Sequence, residues 1–160
     1  MRLALPAEPG PAGLLRRGLL ALSAAGLAGT TIELVFLRHW SSATALIVWP
    51  GIVALAIGLA LLVIRPGPGT IRSVRIAAGI AVVIGVVGVG LHVHENLLAG
   101  PLDRVYATTW DSMSTISQWW TAITGGVGPA PTLAPGALAE IALSLLLATV
   151  AWPAASLAGS

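Results

Sequence analysis

The hydrophobic positions of the chain are gathered into four long runs separated by short polar segments. Each run is about as long as the roughly 20 apolar residues that carry a helix across a bilayer. The runs predict transmembrane helices at residues 18–37, 43–64, 76–98 and 133–152. Because only helices and closed barrels satisfy their backbone in lipid, we expect an all-α fold, an integral membrane bundle of four transmembrane helices over residues 18–152.

Small residues mark one face of the third run. They recur every three or four residues and so form a stripe on a helix, which consists of Ala78, Ala81, Gly85, Gly88, His92 and Glu95. Small residues let a neighbouring helix approach closely, and polar residues at membrane depth require a partner. The stripe therefore predicts that this face packs against a neighbour and that its polar end finds a partner there.

Prolines and glycines punctuate the segments between the runs. They predict an irregular tail at residues 1–17, a turn over residues 65–72 that cannot continue a helix, and a second short tail at residues 153–160. Pro50, inside the second run, predicts a kink because proline cannot donate a backbone hydrogen bond.

The longest segment outside the predicted spans, residues 99–132, carries a second helical pattern. One stripe is approximated by Tyr106, Trp110, Met113, Trp120 and Ile123. Because tryptophan and tyrosine settle at the depth of lipid headgroups, this stripe and Trp119 predict an external amphipathic interfacial helix. The alternatives are a lid over the outer mouth of the bundle and a docking surface for a partner. Residues 125–135 predict a plain connector into the fourth span.

The arginines predict the orientation of the spans. One side would hold Arg2, Arg16, Arg17, Arg65, Arg72 and Arg75, and the other only Arg38 and Arg104. Cytoplasmic segments of membrane proteins carry an excess of basic residues. We therefore expect both tails and the turn between the second and third spans to be cytoplasmic, an N-in and C-in topology.

Composition excludes several classes of protein. The 160 residues are only 9% charged, with a mean hydropathy of +0.92, whereas soluble domains carry about 25% charged residues. The lack of cysteine excludes disulfides and thiolate chemistry. A net charge of only +2, without a basic patch interleaved with aromatics, argues against nucleic-acid binding. The lipid bilayer is therefore the first predicted partner.

Three ionisable residues fall inside the predicted spans at similar depth. Glu33, His92 and Glu140 lie roughly 6–11 Å below the outer boundary, at about 1.5 Å per residue. Small residues accompany each of them on its helix face, so each is expected to point into the bundle. With Glu95 and Asn96 they form a predicted polar layer in the outer half of the membrane.

Three interpretations of the polar layer stay open. In the first, protonated acids hydrogen-bond with His92 and Asn96 and hold the helices in register, since a charge stranded in lipid is costly. In the second, the layer relays protons or ions. In the third, Glu33, His92 and Glu140 bind a metal, or His92 binds a haem if His39 reaches inward.

Short motifs lie at the ends of the predicted spans. They are Glu33-Leu34 with His39, Leu91-His92 with Asn96, and the segment from Pro131 to Gly136. On these motifs the chain resembles an uncharacterised group of small bacterial four-span membrane proteins over residues 18–152. The resemblance implies a fold and a setting in the bacterial inner (plasma) membrane, and it implies no activity.

No phosphate loop, nucleophile–base pair or zinc-protease spacing is present, so catalysis is not expected. The sequence therefore predicts a small bacterial integral membrane protein that is an accessory subunit, binding a protein partner or a second copy of itself, with no cofactor. The alternative prediction is a proton-, ion- or metal-handling, or haem-binding, membrane protein that uses the polar layer.

Overall fold

The computed structural model describes residues 10–150 and Trp152, and over that part of the chain it contains helices and no strand. The α-helices are α1 (Pro11–Phe36), α2 (Ala43–Leu46), α3 (Val48–Ile64), α4 (Pro68–Ala99), α5 (Thr115–Ile123) and α6 (Gly136–Thr149). Two 3₁₀ turns, Gly100–Leu102 and Trp110–Ser112, lie between α4 and α5. The all-helical class is thus confirmed for the described residues, whereas most of both predicted tails, 1–9 and 153–160, lies outside them.

Three stretches are long and apolar enough to cross a membrane, namely Pro11–Phe36, Ala43–Ile64 and Pro68–Leu102. Helix α6 is also apolar but has only 14 residues. At 1.5 Å per residue it is about 21 Å long, against a hydrocarbon core of about 30 Å. The helix predicted over residues 133–152 is therefore shorter than expected at both ends.

Prolines begin two helices that were expected to start later. Pro11 lies in the first turn of α1, so residues 11–17, predicted as irregular, are helical. Pro68 begins α4, and the predicted turn shrinks to residues 65–67. Proline is favourable in a first turn, because its φ is already helical and its missing N–H needs no partner there.

The second span is interrupted just before Pro50, the residue that predicted a kink. Ile47 lies in a turn between α2 and α3. Pro50 has no N–H to donate to the carbonyl of Leu46, so the helical hydrogen-bond ladder is interrupted at this point. Trp49 Nε1 donates to the carbonyl of His39 at 2.8 Å, which ties the break to the loop after α1.

The chain divides into two compact units. Unit 1 comprises residues 1–85 and 137–160, and unit 2 comprises residues 86–136. The described part of unit 1 holds α1, α2, α3, the first half of α4 and nearly all of α6, and unit 2 holds the second half of α4, α5 and the loops around it. Unit 1 has one continuous apolar core, in which Leu55, Leu62 and Leu145 are almost fully buried.

Neighbouring helices in unit 1 run in opposite directions. The contacts that show this are Arg16–Ala148 and Gly26–Ile141 between α1 and α6, and Gly51–Ile84 and Gly58–Val74 between α3 and α4. The starts of α1 and α4 and the ends of α3 and α6 therefore lie together. We call this the arginine end of unit 1, because it carries Arg16, Arg17, Arg65, Arg72 and Arg75.

The stripe of small residues on α4 is confirmed except at its last position. Ala78 and Ala81 are fully buried, whereas Glu95 is exposed and the next residue, Asn96, is fully buried. A repeat of seven residues drifts by about 20° per heptad on a straight helix. Asn96 lies 18 residues after Ala78, which is five turns of 3.6 residues, so it takes the place on the buried face that the pattern gave to Glu95.

The interfacial helix predicted over residues 106–123 is not continuous. Trp110 lies in a 3₁₀ turn and is 5% exposed, and it packs with Val93, Ala122 and Val127 in the core of unit 2. Its ring occupies the space that a side chain at Gly100 would need. Only α5 is helical, and it begins where the Ser114 hydroxyl caps it. The predicted stripe is thus split between core and surface.

Candidate functional site

Asn96 is the centre of a hydrogen-bond network in unit 2. Its Nδ2 donates to the carbonyls of Ala130 at 2.9 Å and Ala122 at 3.2 Å, and its Oδ1 accepts from the Ala130 N–H at 3.0 Å. The side chain is fully buried. An amide offers two donors and an acceptor, which here bind the N–H and the C=O of one residue, Ala130, and a carbonyl at the end of α5. Asn96 therefore fixes the loop that follows α5.

His92 binds the same loop one turn earlier along α4. Its Nδ1 lies 3.0 Å from the carbonyl oxygen of Pro131. Because a carbonyl can only accept, Nδ1 carries the proton in this contact, and in a neutral ring Nε2 then keeps its lone pair. The ring is half-buried. His92 is thus a backbone-binding residue with one nitrogen left to accept a proton or a ligand.

Two glycines allow the loop to lie close to α4. Gly128 has a φ of +78°, and a side chain there would collide with Asn96. Near the other end of the loop, a methyl group at Gly88 would lie 2.7 Å from Pro135 Cβ. Residues 128–135, which we call the bound segment, therefore run along α4. The prediction of a plain connector is wrong, because the segment is held by side chains.

The contacts of His92 and Asn96 explain why polar residues occur on this helix. Irregular backbone at membrane depth is tolerated only where its N–H and C=O groups are paired within the protein. The bound segment is not helical until Gly136, and the two side chains of α4 satisfy its peptide groups at Ala130 and Pro131. Within unit 2, the polar partners of His92 and Asn96 are therefore found in loop and helix-end backbone and in Thr132, and none is an acid.

The three acids of the predicted polar layer do not point inward. Glu33, Glu95 and Glu140 are all exposed. Within unit 1, Glu140 is level with Gly26, because Ile141 packs against that glycine. Glu33 lies seven residues further along α1, which is about 10 Å. The two acids of unit 1 thus do not share a layer, and no three His, Asp or Glu side chains among the described residues form a metal-binding group.

The error in the predicted layer has a physical cause. The predicted depths of Glu33, His92 and Glu140 assume that the outer ends of the first, third and fourth spans lie at one boundary. Ile141 packs against Gly26, so Ala137 in the first turn of α6 lies about level with Thr30 and well before the end of α1 at Phe36. Glu140 is therefore displaced along the unit relative to Glu33. Glu95 is turned outward by the drift of the heptad pattern described above.

Two arginines hold the end of α6, a feature that the sequence analysis missed. Arg16 Nε donates to the carbonyl of Ala148 at 3.2 Å, and its guanidinium lies 4.9 Å from the centre of the Trp152 ring. Arg75 donates to the hydroxyl of Thr149 at 3.0 Å and to its carbonyl at 2.7 Å. The last carbonyls of a helix lack intrahelical partners and attract cations. Because α6 has no basic residue of its own, α1 and α4 supply the charge.

Helix α6 also presents an exposed face. It consists of Glu140, Leu143 and Leu147, of which the two leucines are 50% and 58% exposed. The residues are spaced by three and four positions, so they lie on one side of the helix. The Glu140 carboxylate has no hydrogen bond or ion pair with any described residue. We call this surface the α6 face.

Helix α5 presents a second exposed apolar face. Ile116, Trp119, Trp120 and Ile123 are 82%, 48%, 68% and 42% exposed, and their spacing places them on one side of the helix. Tyr106 and Trp110, predicted to share this surface, contact each other edge to face with ring centres 6.3 Å apart. Of the four aromatic residues predicted to be interfacial, only Trp119 and Trp120 are therefore exposed.

No protein-family model, curated protein or solved structure matches the chain, so its function is inferred from the contacts described above.

Proposed function

We propose that the chain is a four-pass integral membrane protein of the bacterial plasma membrane that acts as an accessory subunit by binding a protein partner within the bilayer. Catalysis forms no part of this role. The observation that carries the proposal is the exposed carboxylate of Glu140 on the α6 face.

The proposal of four crossings rests on α6 and the bound segment together. Three helices have the length and hydropathy of membrane spans. Helix α6 alone is about 21 Å long, and the bound segment directly precedes it in the chain. The backbone of this segment would be protected in lipid by His92 and Asn96. A short helix preceded by a segment whose backbone is paired therefore supports the proposal of a fourth crossing.

The proposed N-in and C-in orientation rests on the arginine end of unit 1. This end gathers five arginines, and Arg16 and Arg75 bind the last turn of α6 there. A concentration of basic residues favours the cytoplasmic side. In this topology the loop between the third and fourth crossings, which contains α5, would be external, and Trp119 and Trp120 would rest at headgroup depth as an interfacial anchor.

Glu140 is the reason to propose a protein partner. Arg16 and Ala148 mark the level of the inner boundary, and Glu140 lies eight residues from Ala148, which is about 12 Å. In a hydrocarbon core of about 30 Å, this depth is close to the middle. Ionisable residues at that depth almost always face a protein interior or a water-filled cavity and are paired. The Glu140 carboxyl group, which is on an exposed helix face, therefore requires a hydrogen-bond donor, and a neighbouring helix of a partner would supply it.

The test uses photocrosslinking in native membranes. A photoreactive amino acid at Leu143 is expected to give a crosslink to one defined polypeptide, and Glu140→Leu is expected to abolish it. Glu140→Gln is expected to retain part of it, since an amide still donates and accepts at nearly the same volume. Glu33→Leu, which changes an exposed acid near the end of α1, is the matched control and should leave the crosslink unchanged.

Two outcomes would contradict the proposed function. Crosslinks to lipid alone would show that the α6 face is not a protein interface. A polypeptide crosslink that survives Glu140→Leu would show that the carboxyl group does not contribute to binding. A crosslink to a second copy of the chain would identify the accessory role as self-assembly.

The ion- or metal-handling alternative is favoured by one observation, the Nε2 lone pair that the Pro131 contact leaves on His92. Visible absorption and metal analysis of the protein purified from native membranes distinguish the two functions. A Soret band or stoichiometric metal that is lost in His92→Leu would favour the alternative. A protein without either, together with a Glu140-dependent crosslink, supports the accessory role.

A further inference from the structure

An open apolar groove runs along the outside of unit 1 between α1 and α3. Its volume is ≈ 370 Å³, and it is lined by Ala24 and Leu27 of α1 and by residues of α3 that include Ala56, Ala60 and Ile64. The alanines make the groove, because their short side chains leave space between two helices that are otherwise in contact. The size falls within the range of small-molecule sites.

Arginines stand at one end of this groove. Arg65 directly follows Ile64, the last groove residue of α3, and its side chain is exposed. Arg17 precedes Ala24 by seven residues, which is two helical turns, so it lies on the same face of α1 about 10 Å nearer the arginine end. The groove is thus apolar along its length and positively charged at its mouth.

We propose that the groove is a binding site for an anionic phospholipid. One acyl chain lies against Ala24, Ala56 and Ala60, and the phosphate lies at the level of Arg65. Basic residues close to the inner surface of a membrane bind anionic headgroups. The proposal goes beyond the proposed function and rests on its membrane location only, since the groove is on α1 and α3 and the partner-binding face is on α6.

The charge at the mouth of the groove is the reason to choose a lipid over a second helix. A transmembrane helix docked between α1 and α3 would gain packing against the alanines, but it would gain nothing from the charge of Arg65 at the membrane boundary. A phospholipid places its phosphate at that boundary and its chain in the hydrocarbon. Both parts of the site are therefore used by one amphipathic ligand.

The experiment measures lipid binding to the purified full-length protein by native mass spectrometry. Phosphatidylglycerol and phosphatidylcholine with identical acyl chains are the probes. The wild-type protein is expected to bind the first at least about fivefold more tightly, the effect of one arginine near a membrane surface. Glycerol 3-phosphate, which has the headgroup phosphate and no chain, is expected to compete poorly.

Two variants separate the charge from the groove. Arg65→Gln is expected to weaken phosphatidylglycerol binding by about fivefold and to leave phosphatidylcholine unaffected. Ala60→Leu fills the groove and is expected to weaken both lipids. The controls are Arg104→Gln, an exposed arginine of unit 2, and Ala25→Leu, an exposed alanine of α1 outside the groove lining. All four positions are exposed, and melting curves confirm that each variant is folded.

Equal binding of the two lipids by the wild-type protein would overturn the proposal, and so would unchanged binding in Arg65→Gln. Unchanged binding in Ala60→Leu would show that the chain lies elsewhere, which also overturns it. If the wild-type protein forms dimers and Ala60→Leu dissociates them, the groove binds a second copy of the chain and not a lipid. Carbonate extraction of the protein from membranes would expose a failure of the proposed membrane location independently of these results.

Discussion

Replacing Asn96 by alanine tests the main interaction of unit 2. The change removes the amide that binds the Ala130 N–H, the Ala130 carbonyl and the Ala122 carbonyl, at 3.0, 2.9 and 3.2 Å. We expect the bound segment to detach locally from α4 while the helices of unit 1 stay folded. The contact with Thr132 Oγ1, at 3.4 Å, is too long to add much.

The magnitude follows from these three bonds. A neutral hydrogen bond contributes about 1 kcal/mol net, so the loss of three lowers the free energy of local opening by about 3 kcal/mol. This corresponds to an increase of about 150-fold in the open population at 25 °C. The value of 3 kcal/mol is a lower bound if buried peptide groups stay unpaired in the closed state, because each such group then adds a desolvation penalty of about 1–3 kcal/mol.

Hydrogen exchange with mass spectrometry, on the full-length protein in lipid nanodiscs, measures this opening directly. Amides of residues 122–132 are expected to exchange faster by about two orders of magnitude in Asn96→Ala, from the free energy just given. Glu95→Ala is the matched control, since it truncates the neighbouring exposed residue of α4. Equal exchange of residues 122–132 in the two variants would refute the role given to Asn96. Faster exchange of α1 and α3 as well would show that the effect is global and not local.

Three further predictions concern the charged cap on α6, the core of unit 2 and the exposed face of α5. Arg75→Gln is expected to lower the free energy of unfolding in detergent by about 1–2 kcal/mol, because it weakens the charged cap on α6. The control Arg72→Gln should change the same quantity, measured by thermal unfolding, by less than about 0.5 kcal/mol. Similar losses in the two variants would contradict the capping role of Arg75. Trp110→Ser is expected to open the 99–132 loop to protease in detergent and in membranes alike, since large-to-small changes in a core cost about 3–5 kcal/mol. Trp120→Ser should raise protease access in membranes only, and a response in detergent would mean that Trp120 is held by protein and not by lipid.

The helices could be predicted well because length and hydropathy are local properties of the chain. The first three predicted spans correspond to α1, to α2 with α3, and to α4. The helix starts could not be predicted as well, because the same proline either ends a helix or begins one. Pro11 and Pro68 begin helices, whereas Pro50 interrupts one, and the difference depends on which neighbouring carbonyl needs an N–H.

The polar contacts could not be predicted from the pattern of residues. His92 and Asn96 were identified correctly as polar groups on α4 that need partners. Their partners are the backbone of Ala130 and Pro131. Every residue carries a carbonyl, so backbone acceptors leave no mark in a sequence, whereas acids are visible in it. The capping of α6 by Arg16 could not be predicted for the same reason, since the acceptor is the backbone carbonyl of Ala148, 132 residues away along the chain.

The short length of α6 has a consequence for how the protein is made. In the proposed topology α6 leaves the ribosome after α1, α3 and α4, and with 14 residues it is a weak signal for membrane insertion by itself. The groups that receive it, Arg16 and Arg75 at one end and His92 and Asn96 along the bound segment, belong to helices synthesised earlier. Insertion of α6 would then depend on earlier helices that are already assembled in the bilayer.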